Sequence, residues 1–406
     1  MNRLHSRGWM VLGIMVILSL VLSACSAGGG AGTTSTEGTA PVKIGGIFDL
    51  TGATADVGVP YAEGVKAFVD WINSKGGVAG RTIELISNDY AYKVPNAEQL
   101  YSQYVTQDKV AAIQGWGTGD TEALRTKIAA DKIPFMSASY SANLATIADA
   151  PYNFLIGTTY SDQMVIALRW ALQDWAAKGQ SGAPKVAFLY NDSPFGKSPL
   201  PEGQAFAQEN GIEMLEVAMP RGATDLTAEL TQVKDFAADY IIIQNTSGPG
   251  SLAAKNAKSL GIPAQIICLN WCADENLVKL AGDAAEGVVG TIPFAPPSAG
   301  VAGLKEIQEY AQSKGVNLDE KGLHYVQGWI TMAVMAEGIK RVAEGGKEIN
   351  GENIRAALET MTGFGTGDIT TPLSFTATDH AGSKALRLYQ VKSGVWAPIS
   401  EYISAE

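Results

Sequence analysis

From Val42 onward, short runs of β-branched residues alternate with longer amphipathic runs, and this alternation constrains the fold most strongly. Some of the short runs, such as 185–190 (KVAFLY) and 239–243 (DYIII), are nearly unbroken apolar segments, which is typical of strands buried on both faces. The pattern predicts strands at 42–48, 82–86, 110–113, 133–136, 185–190, 212–217, 239–243, 265–269 and 385–391. It predicts helices at 60–73, 96–106, 120–130, 162–177, 199–210, 225–236, 250–260, 302–313, 321–343 and 351–360. This alternation favours an α/β fold in which helices cover both faces of parallel sheets.

About ten strands are too many for one compact unit, because domains average ~150 residues. A break in the pattern near 158–162 separates two similar series of alternating strands and helices. We therefore predict two doubly wound, Rossmann-like lobes. In such sheets ligands bind beyond the carboxyl ends of the strands. The segments that follow the predicted strands are therefore the candidate ligand-binding loops: 49–58, 114–120, 137–143, 191–198, 244–250 and 269–274.

The first residues have the features of an export signal. Basic side chains precede an apolar run at 9–22, which is shorter than the ~20 residues that span a bilayer. We predict a signal peptide at 1–24. The Leu-Ser-Ala-Cys sequence that ends at Cys25 resembles a bacterial lipobox, which predicts lipidation of Cys25; the alternative is ordinary cleavage beside an incidental cysteine. Residues 25–41 are rich in Gly, Ser and Thr, and this composition predicts a flexible tether.

Two loops of the first series are candidate sites for a carboxylate. The segment that contains Trp116, Gly117 and Thr118 precedes a predicted helix, whose free N–H groups and positive dipole end attract anions. The dinucleotide fingerprint fails here because Asp120 occupies the last glycine position, and a structural turn is the alternative. The second loop contains Ser139, Tyr140 and Ser141, whose hydroxyl groups either bind a ligand or cap a helix.

The second series has three candidate loops. Phe195 follows a strand and either forms a wall over a ligand or packs between helices. The loop at 191–198, which contains Phe195, includes a Gly-Lys-Ser sequence like that of a phosphate-binding loop. It lacks the first glycine that such a loop requires. Ser247 lies in the loop at 244–250, and Asn270 and Trp271 follow another strand, where Trp271 either stacks on a ligand or covers the core.

Composition argues against several classes of function. The chain has 30 basic and 41 acidic residues, a net charge of −11, which is unlike a nucleic-acid-binding protein. The chain has only three histidines and three cysteines. We therefore expect no metal site, no cofactor site and no His-based catalytic centre. Cys268 and Cys272 are four positions apart, and either a local disulfide or two free thiols fits that spacing.

Several segments together resemble a known family over nearly all of 42–402. They are IFDLTG at 47–52, NSKGGVAG at 73–80, Asp89, KIP at 132–134, Phe195-Gly196 and AGDAAEG at 281–287. In this order and spacing, they identify the chain as similar to the type I periplasmic binding proteins of ABC transporters, in the leucine/isoleucine/valine-binding branch.

The resemblance implies a non-catalytic protein whose lobes close over a small solute. It implies an N-terminal lobe of 42–158 plus 292–371 and a C-terminal lobe of 159–291 plus 372–406, joined by a three-strand hinge. The expected partners are a membrane permease and ATPase subunits, and the protein is expected to act as a monomer anchored to the outer face of the cytoplasmic membrane.

Two positions depart from the family pattern. The acidic residue that often pairs with a ligand ammonium falls at Asn270, and an aromatic position falls near Val57. These departures leave open an aromatic acid, an amide or a urea-type solute in place of a branched-chain amino acid. A sensory ectodomain of the same fold and an exported enzyme are the alternatives to a transport role.

Overall fold

One parallel and one mixed sheet organise residues 40–406, which are the residues that the computed structural model describes. The predictions of a signal peptide at 1–24 and of lipidation at Cys25 lie outside the described residues. The same is true of the tether at 25–41, apart from its last two positions.

The first lobe is built on a four-stranded parallel sheet with the order β2-β1-β3-β4. Its strands and the helices between them are β1 Val42–Phe48, α1 Ala55–Ser74, β2 Ile83–Asp89, α2 Val94–Gln103, β3 Ala112–Gly115, α3 Thr118–Asp131 and β4 Phe135–Ser137. The pairing of β1 with β2 runs from Val42 opposite Ile83 to Phe48 opposite Asp89, so both strands end at the same edge of the sheet.

The second lobe is built on an eight-stranded sheet with the order β11-β10-β9-β8-β7-β5-β6, in which β12 also pairs with β10. Its elements up to the fifth strand are α4 Tyr160–Ala177, β5 Lys185–Asn191, α5 Pro194–Lys197, α6 Leu200–Glu209, β6 Glu213–Met219, α7 Thr227–Phe236, β7 Tyr240–Gln244, α8 Ser247–Ser259, β8 Gln265–Cys268, α9 Glu275–Ala281 and β9 Val289–Ile292. The five strands β5 to β9 are parallel.

Three further helices follow β9, and the chain then returns to the second sheet. These elements are α10 Leu304–Ser313, α11 Leu318–Glu344, α12 Gly351–Leu358, β10 Ala385–Lys392, β11 Val395–Pro398 and β12 Ile403–Ser404. The α11 helix belongs with the first lobe, because it packs along α1 and its Thr331 carbonyl accepts a hydrogen bond from Gln114 (3.4 Å). The chain therefore passes between the lobes three times.

The predicted α/β class with two doubly wound lobes is confirmed. The prediction omitted five elements, α5, α9, β9, β11 and β12, each of which spans at most seven residues. Periodicity is weak over such short lengths, so packing decides their conformation. The lobe boundaries near 158, 292 and 371 stay a prediction.

The α1 and α8 helices begin earlier than predicted, and each includes a proline. The α1 helix begins at Ala55, so Pro60 lies inside it, and α8 begins at Ser247, so Pro249 lies in its first turn. Pro249 is tolerated because the N–H groups in the first turn of a helix have no intrahelical partner, whereas Pro60 is the sixth residue of α1 and removes one intrahelical hydrogen bond. Both early starts bring helix N-termini to the edge of the sheets where the predicted ligand-binding loops lie.

Among residues 40–406, no helix combines the length and the apolar character that crossing a bilayer requires.

Candidate functional site

A small enclosed space lies where the carboxyl ends of the strands of the two lobes face each other. Residues that follow β3, β4, β5, β7 and β8 form its walls together with the start of α1. The lining residues are Thr54, Val57, Tyr92, Trp116, Gly117, Thr118, Ala138, Tyr160, Phe195, Thr246 and Trp271. The space has a volume of about 20 Å³, far below the range of pockets for drug-sized ligands, so it suits only a small solute.

The N-terminus of α3 supplies hydrogen-bond donors at this space. Gly117 is the N-cap residue, and the Thr118 Oγ1 atom lies 2.7 Å from the Ser139 Oγ atom. Among the described residues, no hydrogen bond engages the backbone N–H groups of Thr118 and Gly119. These N–H groups and the helix dipole together favour a carboxylate at this end.

Aromatic rings form most of the remaining wall, and hydrogen bonds fix two of them. The Trp116 Nε1–H group donates to Thr54 Oγ1 at 2.8 Å, and the Trp271 Nε1–H group donates to the Tyr160 hydroxyl at 2.9 Å. The two indole rings lie 5.2 Å apart, edge to face. Because both indole N–H groups are satisfied within the protein, the rings offer apolar surface to a solute.

Five of the ten predicted ligand-binding residues line the space: Trp116, Gly117, Thr118, Phe195 and Trp271. Two more lie directly behind the wall, because Ser139 contacts Thr118 and the ring of Tyr140 stacks on Trp271 (6.0 Å, 10° between planes).

Ser141 is directed elsewhere. Its hydroxyl donates to the carboxylate of Glu122 at 3.0 Å and takes no part in the wall. Ser141 is the N-cap residue of the short 3₁₀ turn at Ala142–Leu144, but its side chain makes no capping hydrogen bond there.

Ser247 and Asn270 are fully buried but do not line the space. The Ser247 Oγ atom and both polar atoms of the Asn270 amide have no hydrogen-bond partner among the described residues. Each is the sequence neighbour of a lining residue, Thr246 or Trp271. Buried polar groups are nearly always hydrogen-bonded, so these atoms mark a place for a ligand or water.

Sequence reasoning missed Thr54, Val57, Tyr92, Ala138, Tyr160 and Thr246 as lining residues. Tyr160 lies at the first position of α4, directly after the chain leaves the first lobe. Tyr92 lies in a turn after β2 and has a left-handed backbone (φ 53°). No local pattern distinguishes Tyr92 and Tyr160 from aromatic residues of the core. Only the packing of one lobe against the other brings them together.

The wall has no charged side chain, but buried carboxyl groups lie behind it. Asp120 accepts hydrogen bonds from the Tyr90 hydroxyl (2.9 Å) and the Gly117 N–H group (3.2 Å), and burial raises the pKa of Asp120 to about 7. Asp49 accepts the N–H groups of Gly52 and Thr54 at 2.6 and 2.8 Å. The wall itself therefore presents neither a basic nor an acidic side chain to a solute.

The lobes touch each other around the enclosed space. The Gly248 N–H group at the start of α8 donates to the Asp56 carboxylate in α1 at 2.9 Å. A Cβ atom placed on Gly119 would lie 3.4 Å from the Pro194 ring, which belongs to the other lobe. The structure is therefore a closed form.

Cys268 and Cys272, whose state the sequence left open, are joined by a disulfide in the loop that carries Trp271. Within residues 40–406, no group of three or more His, Cys, Asp and Glu side chains is arranged to hold a metal ion.

Comparisons with known proteins agree with this architecture. A family model described as periplasmic binding protein matches residues 41–395. The leucine-, isoleucine-, valine-, threonine- and alanine-binding protein of Pseudomonas aeruginosa is 23% identical and the match covers 85% of this chain and 90% of that protein. A branched-chain amino acid ABC transporter protein from Thermus thermophilus with bound valine superposes with a TM-score of 0.84 at 26% identity, over 90% of this chain and 97% of the other.

A fatty acid ABC transporter substrate-binding protein from Thermomonospora curvata has the same fold. Its TM-score is 0.81 at 22% identity, over 90% of this chain and 92% of the other. Members of the matched family bind solutes and are not enzymes, which confirms the prediction of a non-catalytic protein. The chain therefore belongs to the periplasmic binding protein family, with the type I fold shared by the leucine/isoleucine/valine-binding proteins.

Proposed function

We propose that this protein is the exported, lipid-anchored solute-binding subunit of an ABC importer. It captures a branched-chain amino acid or a similar small carboxylate or amide between its lobes and delivers it to the membrane permease and its ATPase subunits. The observation that carries the proposal is the enclosed space with the N-terminus of α3 at one end and aromatic rings around it. Relatives named for branched-chain amino acids, including one with bound valine, support the choice of solute.

Each part of such an amino acid has a matching feature in the site. The carboxylate fits the free N–H groups of α3 and the Thr118 hydroxyl. The apolar side chain fits Val57, Phe195 and the indole rings. For the ammonium, the unpaired amide of Asn270, which directly precedes the lining residue Trp271, offers an oxygen acceptor.

A second candidate solute is an aromatic carboxylic acid. The abundance of rings in the wall and its lack of a charged side chain favour this candidate, because a buried ammonium without a direct charge partner is costly.

Matched solutes distinguish the two candidates by their effect on thermal unfolding. We expect leucine, isoleucine or valine at ~100 Kd to stabilise the protein by about 2.7 kcal/mol. 4-Methylpentanoate, which is leucine without its ammonium, and leucinamide, which lacks the carboxylate, should each shift the melting temperature less. A shift with phenylacetate and none with the amino acids would exclude the amino-acid proposal in favour of the aromatic acid.

Replacing Thr118 with alanine should weaken binding of the stabilising solute by about tenfold, since one hydrogen bond to a charged group contributes about 1.5 kcal/mol or more. The measurement is titration calorimetry. Thr126→Ala on the exposed side of the same helix is the matched control and should bind like the parent. Equal affinity of the Thr118 and Thr126 variants would show that the carboxylate binds elsewhere.

A further inference from the structure

The two lobes exchange helix caps across the closed cleft. The Asp56 carboxylate of the first lobe accepts a hydrogen bond from the Gly248 N–H group in the first turn of α8. The N-cap residue of α8, Thr246, makes no side-chain capping hydrogen bond of its own. In return, Glu275 of the second lobe accepts the Leu323 N–H group of α11 at 2.9 Å. Oxygen acceptors at helix N-termini satisfy the free N–H groups there, so each lobe supplies an acceptor that a helix of the other lobe lacks.

The second cap depends on a break in α11. Gly322 has a left-handed backbone (φ 75°, ψ −175°), so the helix begins again at Leu323 with free N–H groups. A Cβ atom on Gly322 would lie 2.8 Å from the Glu275 Oε2 atom. The absence of a side chain at Gly322 thus gives the Glu275 carboxylate access to the new helix start.

His324 lies beside this cap and joins the lobes by two further contacts. Its Nε2 atom lies 3.1 Å from the Asp274 Oδ2 atom, an ion-pair distance without the alignment of a hydrogen bond, and its ring stacks on Trp271 (4.8 Å, 26° between planes). Both Asp274 and Trp271 belong to the second lobe, and Trp271 lines the solute space. His324 is 2% exposed, so its environment in the closed form differs from that in any form with the cleft open.

We propose that His324 is a positioning residue that latches the lobes through Asp274 and holds Trp271 against the solute, and that closure of the latch takes up protons. The proposal rests on the proposed function, since it assumes that the lobes open and close. The latch would make solute affinity depend on pH, with tighter binding in acid.

The acidic groups closest to His324 all act on its pKa in the same direction. Burial lowers the pKa of His324, but Asp274 and Glu275 on one side, helped by Gln327, outweigh burial and raise that pKa above its usual value. Burial raises the pKa of Glu275 to about 6 and also raises that of Asp56, the facing carboxyl group from α1. The groove outside the latch has further charged groups, which are Glu63, Lys279, Asp319, Glu320 and Lys321.

The direction of the pH effect follows from these shifts. His324 has a higher pKa in the closed form than when exposed, so its contribution to closure is complete below about 6.5 and is lost as the pH rises through the raised value. The pKa values of Asp56 and Glu275 are also higher in the closed form, so their contributions to closure also weaken as the pH rises, and that of Glu275, with a pKa of about 6, is lost mostly below pH 6. A pKa difference of one changes the closed-to-open ratio about tenfold, and we expect leucine to bind at least about threefold more tightly at pH 6 than at pH 8.

A cross-link that locks the lobes makes the test independent of the solute. A Cβ atom on Gly119 would lie 3.9 Å from the Pro194 Cβ atom, within the range of a disulfide, so Gly119→Cys with Pro194→Cys should lock the closed form on oxidation. Histidine NMR titration of the locked full chain then reports the pKa of His324, identified by the resonance that is missing in His324→Gln. We expect a value above 6.5 that falls below 6.5 in Asp274→Asn but not in Asp319→Asn, an exposed acid nearby.

Three results would overturn the latch: a His324 pKa at or below 6.5 in the locked protein, a pKa that Asp274→Asn does not change, or failure of the cross-link to form. Binding of leucine with the same affinity at pH 6 and pH 8 would exclude the proton uptake. If the locked protein titrates as expected while no amino acid binds at any pH, the latch stands and the proposed solute is wrong.

Discussion

Replacing Trp271 with alanine is expected to abolish solute binding and to lower the free energy of unfolding by about 3–5 kcal/mol. Trp271 is 3% exposed, and its ring packs near those of Trp116 (5.2 Å), Tyr140 (6.0 Å) and His324 (4.8 Å). Alanine would leave a cavity among these rings and leave the Tyr160 hydroxyl without its donor. Chemical denaturation and calorimetric titration measure the two effects.

Trp271→Phe is a milder substitution at the same position. It keeps an aromatic ring but removes the hydrogen bond to Tyr160, so we expect a loss of about 1 kcal/mol and weakened but measurable binding. If Trp271→Ala binds solute like the parent and unfolds at the same denaturant concentration, the enclosed space is not the binding site.

A second large effect is expected from Gly328→Ala in α11. The α1 and α11 helices approach so closely that a Cβ atom on Gly328 would lie 2.0 Å from the Tyr61 carbonyl oxygen. The contact is reciprocal, because a Cβ atom on Gly64 would lie 2.0 Å from the Tyr325 carbonyl oxygen. Alanine favours a helix over glycine by about 1 kcal/mol, but forcing two backbones apart costs about 1–3 kcal/mol or more.

We therefore expect Gly328→Ala to destabilise the first lobe, with a lower melting temperature by circular dichroism. Gly338→Ala on the same helix is the matched control, because the added atom would meet only the side chain of Leu358, at 2.7 Å, and that side chain can move. A Gly328 variant that melts at or above the parent temperature would mean that the two helices are not packed this closely in solution.

The sequence predicted the lobes and five of the lining residues because both follow from local rules. Buried parallel strands are apolar runs, and ligands bind beyond their carboxyl ends, so Gly117, Thr118 and Phe195 could be chosen from their place after strands alone. The same rule selected Ser141, which lies in the correct loop but points to Glu122. The position of a residue in a loop does not fix the direction of its side chain.

Tyr92 and Tyr160 were missed for a related reason. Each is one of 14 tyrosines, and nothing in its neighbourhood separates a wall residue from a core residue. Likewise, His324 lies two residues after Gly322 in a long helical pattern, and only the closed arrangement of the lobes places Asp274 beside it.

What the sequence by itself determined is the order of strands and helices, the two-lobe class and the edge of the sheets at which a solute binds, since these depend on periodicity and on neighbours along the chain. Only the tertiary structure decided which side chains share the enclosed space, which buried polar atoms lack partners, and how Asp56, Glu275 and His324 join the lobes. These features depend on contacts between residues as far apart as Asp56 and Gly248, and no local pattern encodes a contact over that separation.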